Sequence, residues 1–235
     1  MALIPHIDFR VAPHVYGAGF SALRNSDADL VVMLGTSHYW DADPIVVTNK
    51  PFLTPLGVVP VVDHPLYNPL ADIAHKPEHS LELHVVALQH LWQDRPFEIL
   101  PVLVTQRLFE EGVLSDTIEQ LHDVIQSTGK RPLWLISGDL AHVGKKFGDE
   151  LPAQALLPDV ADGDRRLIKA LEDNDLGSYR NAIESSDNRF RVCGYAPTIL
   201  AHLAHPVGRG RTVAYDVWNE QETLSAVSFA TIIWD

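Results

Sequence analysis

The chain has 235 residues, 46% of them hydrophobic, a formal net charge of −13, twelve histidines and one cysteine. That charge excludes sequence-independent binding to nucleic acid or to an anionic membrane, which needs clustered Lys and Arg, and the one basic cluster, Arg209 and Arg211, is short. The length suits one large domain, expected over residues 1–235, that buries roughly three quarters of its unfolded surface.

No apolar run reaches the roughly 18 residues of a membrane span. The N-terminus has no charged region ahead of an apolar signal core, so a cytoplasmic address is expected. The lone Cys193 excludes an internal disulfide and fits a reducing compartment.

In chain order, M-A-L-I-P-H predicts a short strand that Pro5 ends, leaving His6 at its tip. His14 to Asn25 predicts a helix rich in small residues. Asp29 to Trp40, D-L-V-V-M-L-G-T-S-H-Y-W, carries the strongest strand signal. Its apolar run Leu30 to Leu34 suits a strand buried on both faces, and the Gly-Thr-Ser turn delivers His38 past its end, where open α/β sheets bind ligands. Ile45 to Thr48 predicts a short strand. Lys50 to Asn68, broken by Pro and Gly, predicts a hairpin-like excursion placed to cover the mouth of a site.

A helix is expected from Pro77, with Leu81, Val85, Leu88 and Trp92 at helical spacing, Glu78 in its first turn and His79 at its N-terminus. Phe97 to Val104 is a strand whose Pro101 prefers an edge or a bulge. Val113 to Ser127 predicts a helix with Leu114, Ile118, Leu121 and Ile125 on one face. Pro132 to His142 repeats the earlier pattern: an apolar run stops at small residues and releases Asp139 and His142. Gly144 to Asp162 lacks periodicity and predicts loop with a short helix, followed by helices over Asp164 to Asn174 and Gly177 to Ser185. Cys193 precedes a helix opening at Tyr195, where the positive end of the helix dipole favours thiolate. Thr212 to Glu220 and Leu224 to Trp234 alternate as two antiparallel strands. The class that follows is α/β: a single domain with a mostly parallel central sheet flanked by helices and a C-terminal antiparallel strand pair.

His6, His38, His79, Asp139, His142 and Cys193 all sit at strand ends or helix starts. Two imidazoles with one anionic donor is a set that leaves open coordination positions on Fe(II), Zn(II) or Cu, the anion here being a carboxylate or the thiolate. Asp139 and His142, three apart, suit a carboxylate-oriented imidazole, although Asp139 serves equally well as a helix N-cap and Cys193 as a small buried hydrophobe. His64, His75, His84, His90, His122, His202 and His205 read as ordinary helix-face or loop residues. G-x-S-x-G, G-x-x-x-x-G-K-[ST], H-E-x-x-H and C-x-x-C are all absent. A Cys-His hydrolase built on Cys193 and His142 would leave His6 and His38 unexplained.

Seven blocks in order then carry a resemblance: P-H-I-D-F-R from Pro5, L-G-T-S-H from Leu34, E-H-S-L-E from Glu78, P-V-L-V from Pro101, S-G-D-L-A-H-V-G from Ser137, C-G-Y-A-P from Cys193 and V-S-F-A from Val227. Together they resemble the Memo family, whose prokaryotic members are labelled AmmeMemoRadiSam system protein B. The resemblance implies a fold similar to class III extradiol ring-cleavage dioxygenases. It further implies His6, His38 and Cys193 as ligands of a divalent metal, the cysteine standing where those dioxygenases have glutamate, with His142 as acid or base. Asp139, Glu78 and His79 would line the same pocket. Fe(II) is the expected metal; a soft thiolate moves preference toward Cu or Zn. The chain starts almost at His6, so a strand found upstream in longer relatives is expected to be missing.

Three functions follow from the resemblance. The first is a metal-dependent redox enzyme acting on a small aromatic or peptide substrate. The second is a non-catalytic binding scaffold with a vestigial pocket, and the third a modification enzyme working with a radical SAM partner. A homo-oligomer is compatible with each.

Overall fold

Leu30 to Leu34 lie within β2 (Leu30–Thr36), and the first six residues of this strand are buried. Alternation divides them between two apolar layers: Leu30, Val32 and Leu34 face one side of the sheet, Val31 and Met33 the other. A strand clad on both faces has to be uniformly apolar. The computed structural model describes residues 1–93 and 95–234.

β1 (Ala2–Ile4) and α1 (Pro13–Leu23) precede β2, giving β-α-β at once. There follow β3 (Ile45–Val47), the hairpin of β4 (Phe52–Thr54) and β5 (Gly57–Val59), α2 (Glu82–Leu91), β6 (Glu98–Val104), α3 (Val113–Thr128), β7 (Pro132–Ser137) and β8 (His142–Gly144). The last third holds α4 (Ala153–Glu172), α5 (Leu176–Glu184), α6 (Tyr195–Ala204), β9 (Gly210–Glu220) and β10 (Ser225–Trp234).

The main sheet runs β3-β6-β2-β7-β1-β10-β8, with β9 also paired to β10. Neighbours among β6, β2, β7 and β1 are parallel, whereas β10 is antiparallel to β1, β8 and β9. Val15, Tyr16 and Phe20 of α1 join Val85 and Leu88 of α2 in one layer; Leu121 and Val124 of α3 join Leu167, Ile199 and Leu200 in the other. Each such side chain contributes about 1.5–3 kcal/mol by leaving water. Because β2, β7 and β1 are adjacent and parallel, their C-terminal ends lie side by side. The loops that carry His38, Asp139 and His6 therefore leave the sheet from one edge.

Three elements differ from expectation. α4 begins at Ala153, inside the stretch expected to be loop, and holds Pro158 in its interior. Its buried residues Leu156, Val160, Gly163, Leu167 and Leu171 keep helical spacing, and that packing outweighs the roughly 3 kcal/mol cost of an interior proline. α2 starts at Glu82 rather than Pro77, which leaves Glu78 and His79 on the preceding loop. The hairpin packs on α2, where Thr54 Oγ1 donates to Gln89 Oε1 over 2.5 Å. The cavity of about 400 Å3 beside it is lined by Lys50, Phe52, Leu53, Asp72 and Ile73 among others, and no candidate site residue lines it. Pro101 sits one strand in from the edge. It falls between the partners of β3, which reach Val102 to Val104, and a bridge at Ile99, so its missing N–H interrupts neither.

Candidate metal-binding site

His6 follows β1 and is 2% exposed. Its backbone N–H donates to Asp139 Oδ1 over 3.1 Å, and its Nδ1 lies 3.0 Å from Ser137 Oγ. The single hydroxyl proton of Ser137 goes to the Ser80 carbonyl, so Ser137 Oγ accepts from His6 Nδ1–H. That leaves the Nε2 lone pair turned inward, 3.4 Å from Cys193 Sγ and 3.7 Å from Asp139 Oδ2.

His38, just past β2, is held in the same way. Glu78 Oε1 accepts from its Nδ1 over 2.9 Å and Oε2 from its backbone N–H over 2.7 Å, while Oε1 also takes the N–H groups of His79 and Ser80. Burial pushes the Glu78 carboxyl up, but these bonds and the neighbouring His38 outweigh it and leave the group at about 2. Glu78 is therefore ionised at neutral pH, His38 Nδ1 carries the proton and Nε2 is the free donor. His142 Nδ1 lies 3.0 Å from the Arg191 carbonyl and 3.2 Å from that of Leu140. Carbonyls only accept, so His142 also exposes a bare Nε2, 3.9 Å from Asp139 Oδ2. Three imidazoles are thus fixed in one tautomer by partners on Nδ1, the orientation that metal-ligating histidines require.

Burial disfavours charge on His6, His142, Asp139 and Cys193. Burial, then the neighbouring His38, His79, His84 and His142, holds His6 well below its usual value, and burial brings His142 down to about 4. Burial lifts the Asp139 carboxyl to about 7 against the bond from His6 N–H, so near neutrality it exchanges a proton readily. Cys193 departs from expectation: burial, with Asp139 next, pushes the thiol up, so without a metal it stays protonated despite preceding α6. Its Sγ accepts from Asp139 N–H over 3.3 Å, which does not offset that desolvation.

Among the described residues, ligand atoms close to within 4.8 Å of one another in two groups, His6–His38–His79 and His6–Asp139–Cys193. His6 is common to both; His38 and Cys193 fall in different groups. His79 is half-exposed, and its ring stacks on His38 at 5.1 Å and meets His6 edge-on at 5.4 Å. His6 thus joins His38 and His79 on one side to Asp139 and Cys193 on the other, Glu78 backs His38, and His142 reaches the group through Asp139. A cavity of about 640 Å3 opens beside Cys193, with Thr36, Trp40, Arg107 and Arg191 among its other walls.

Two close approaches escaped sequence reading. A Cβ on Gly35 would meet Leu81 Cδ2 and Ser80 Oγ at 2.7 Å, so a larger residue would push aside the Ser80 hydroxyl that donates to the Thr36 carbonyl at the end of β2. A Cβ on Gly138 would lie 2.5 Å from Gly194 Cα, so this glycine pair lets backbone touch backbone and brings Cys193 to Asp139. Ser80, Ser137 and Arg191 were missed as well. The sequence signal that could have found the Gly138–Gly194 junction is that S-G-D and C-G-Y each put a glycine beside a candidate residue.

The family model described as Memo-like protein matches residues 1–233. A MEMO1 family protein of Aquifex aeolicus is 30% identical over 246 residues, an alignment that covers 99% of this chain and 63% of that protein. MEMO1 family proteins of Methanosarcina barkeri and Thermus thermophilus are 27% and 26% identical, with 99% and 98% of this chain and 85% and 70% of theirs covered. The chain spans less than two thirds of the Aquifex relative, whose aligned share is 63%.

Proposed function

The chain belongs to the Memo-like protein family, and from that premise we propose that it is a non-haem metal protein with dioxygenase-like redox chemistry, Fe(II) being its first metal and Cu or Zn the alternatives. His6 Nε2, His38 Nε2 and Cys193 Sγ would hold the ion. The observation that carries this reading is the shared tautomer: Ser137 on His6 and Glu78 on His38 each occupy Nδ1 and leave Nε2 bare, that of His6 beside a thiol. Such a donor set fits a divalent ion better than it fits acyl-transfer chemistry, where a protonated thiol 3.4 Å from an unprotonated imidazole would need its partner oriented by an acid. When bound, the ion would supply a Lewis acid and, as iron or copper, a redox centre.

The remaining roles belong to the protein. His142 Nε2 takes or gives a proton at the substrate, and Asp139, 3.9 Å away and balanced near neutrality, shares it. Glu78 orients His38, and the buried surroundings of His6 and Asp139 exclude water. A second ligand set, His6–His38–His79, is favoured by its mutual closure within 4.8 Å.

The test is metal analysis of protein purified without added metal. His38→Ala is expected to abolish retention; unchanged metal content would overturn the metal reading. Cys193→Ser lowering affinity more than His79→Ala does supports the thiolate set, and the reverse order supports the three-histidine set. Oxygen uptake by iron-loaded protein against a panel of catechols separates enzyme from binding scaffold: a metal-bound protein without turnover leaves the scaffold reading.

A further inference from the structure

We infer that Arg191 is a positioning residue: paired with Asp149, it latches the His142 strand to the loop that carries Cys193 and so fixes the tautomer of His142. Arg191 has no part in the candidate ligand set. Its backbone adopts φ 52, a left-handed conformation rare for a residue with a side chain, two positions before Cys193. Asp187 and Asn188 of the same loop are also left-handed, and Asn188 Oδ1 takes the Val192 N–H over 2.8 Å, so the segment is tightly wound rather than loose.

The winding turns two carbonyls on this loop toward β8. Phe190 O accepts from His142 N–H over 2.7 Å, and Arg191 O accepts from His142 Nδ1–H over 3.0 Å. The guanidinium closes the circuit. Nη1 donates to the His142 carbonyl over 3.1 Å, and Nη2 donates to Asp149 Oδ1 over 2.9 Å. Asp149 Oδ2 takes the Gly144 N–H over 2.7 Å, at the far end of β8. Residues 190 and 191 thus hold the amide, the carbonyl and the ring of His142 together. No side chain hydrogen-bonds His142 Nδ1 among the described residues; its remaining partner, the Leu140 carbonyl, is the longer at 3.2 Å. The bare Nε2 on which proton transfer depends is set by a left-handed carbonyl that a salt bridge keeps in place.

The inference rests on the proposed function only for the use made of His142 Nε2. The tautomer itself is a property of the metal-free protein, which makes the two separately refutable. The experiment is two-dimensional 1H–15N correlation of the histidine rings in metal-free, 15N-histidine-labelled protein, with His142→Asn assigning the signal. Wild type is expected to show His142 in the Nδ1–H form alone. Arg191→Gly relieves the left-handed strain yet removes the guanidinium, and Asp149→Asn removes its partner; both are expected to give a mixture containing the Nε2–H form, and Arg191→Lys to recover most of the original signature. Arg191→Gly and Asp149→Asn proteins that stay folded by near-ultraviolet circular dichroism and keep the pure Nδ1–H form would overturn the latch. A wild-type His142 already mixed would overturn it equally. A clean tautomer change in a protein whose His38→Ala variant retains metal would keep the latch and remove the metal reading.

Discussion

Replacing Gly138 by alanine tests whether the site depends on backbone touching backbone. The new Cβ would lie 2.5 Å from Gly194 Cα and 3.3 Å from Gly194 N, whereas carbon atoms rest at about 3.5–4.0 Å. One loop has to retreat by about 1 Å, and no flexible side chain stands there to give way. The cost belongs at the upper end of the roughly 1–3 kcal/mol of an overpacked core. For a domain of this size that is a fall in Tm of about 4–10 °C. The retreat also withdraws Cys193, whose Sγ lies 3.4 Å from His6 Nε2 and whose carbonyl accepts from Thr36 Oγ1 over 2.6 Å. Thermal unfolding gives the first number, and titration of the thiol with a disulfide reagent gives the second, which should rise many-fold in rate. Gly17→Ala is the control. Gly17 lies in α1 with no heavy atom within 4 Å of an added Cβ, so alanine there is expected to stabilise by about 0.5–1 kcal/mol. Gly138→Ala behaving like Gly17→Ala, with the thiol still protected, would refute the close-packed junction.

Glu78→Gln keeps the shape but turns an NH2 group toward donors; lost charge-assisted bonds of about 1.5–3 kcal/mol each should destabilise the fold in urea titrations and weaken metal retention about 10–100-fold, and wild-type values in both would reject the orienting role. His202, 4% exposed, donates from Nδ1 to Asn174 Oδ1 over 3.0 Å, and its Nε2 has no hydrogen-bond partner among the described residues; burial lowers it to about 4. An unfolded histidine titrates near 6.5, so protons bind the unfolded state first and stability falls as pH drops from about 6.5 to about 4. Between pH 7 and pH 5 wild type should therefore lose about 1–2 kcal/mol more than His202→Gln, and parallel pH profiles in urea unfolding would contradict this. Leu53→Lys, on a hairpin side chain 83% exposed, is expected to change stability by less than about 0.5 kcal/mol, and a larger loss would mean that the hairpin is covered by something else.

The parts of this fold that showed in the sequence are those set by short-range pattern. Leu30 to Leu34 announced β2 because a doubly covered strand has no polar alternation to hide it, and the small residues after β2 and β7 marked where His38 and Asp139 leave the sheet. The parts that did not show depend on partners far along the chain. Pro158 disguised the start of α4, since only packing against β10 and its neighbours makes an interior proline tolerable. Glu78 looked like a first-turn helix residue, yet its carboxylate is committed to His38, forty positions away, and α2 waits until Glu82. The thiol looked activated by a helix dipole, but a dipole acts through one turn whereas burial acts on the whole group, and burial prevailed. Arg191 carried no signal at all, because a left-handed arginine is spelled like any other.

The place of β1 has a consequence for synthesis. Three residues, Ala2 to Ile4, lie in the interior of the sheet between β7 and β10; Ala2 pairs with Leu135 on one side and Ile233 on the other, and the Met1 amino group donates to the Trp234 carbonyl over 3.0 Å. His6 is thus synthesised well before the strand that closes its anchor. Until β10 arrives, β1 has β7 alone beside it, and a three-residue strand with one neighbour is too short to hold. A ribosome-stalled chain ending before Ser225 should therefore carry His6 on a loose end, and the histidine cluster would come together in one late step rather than grow by degrees.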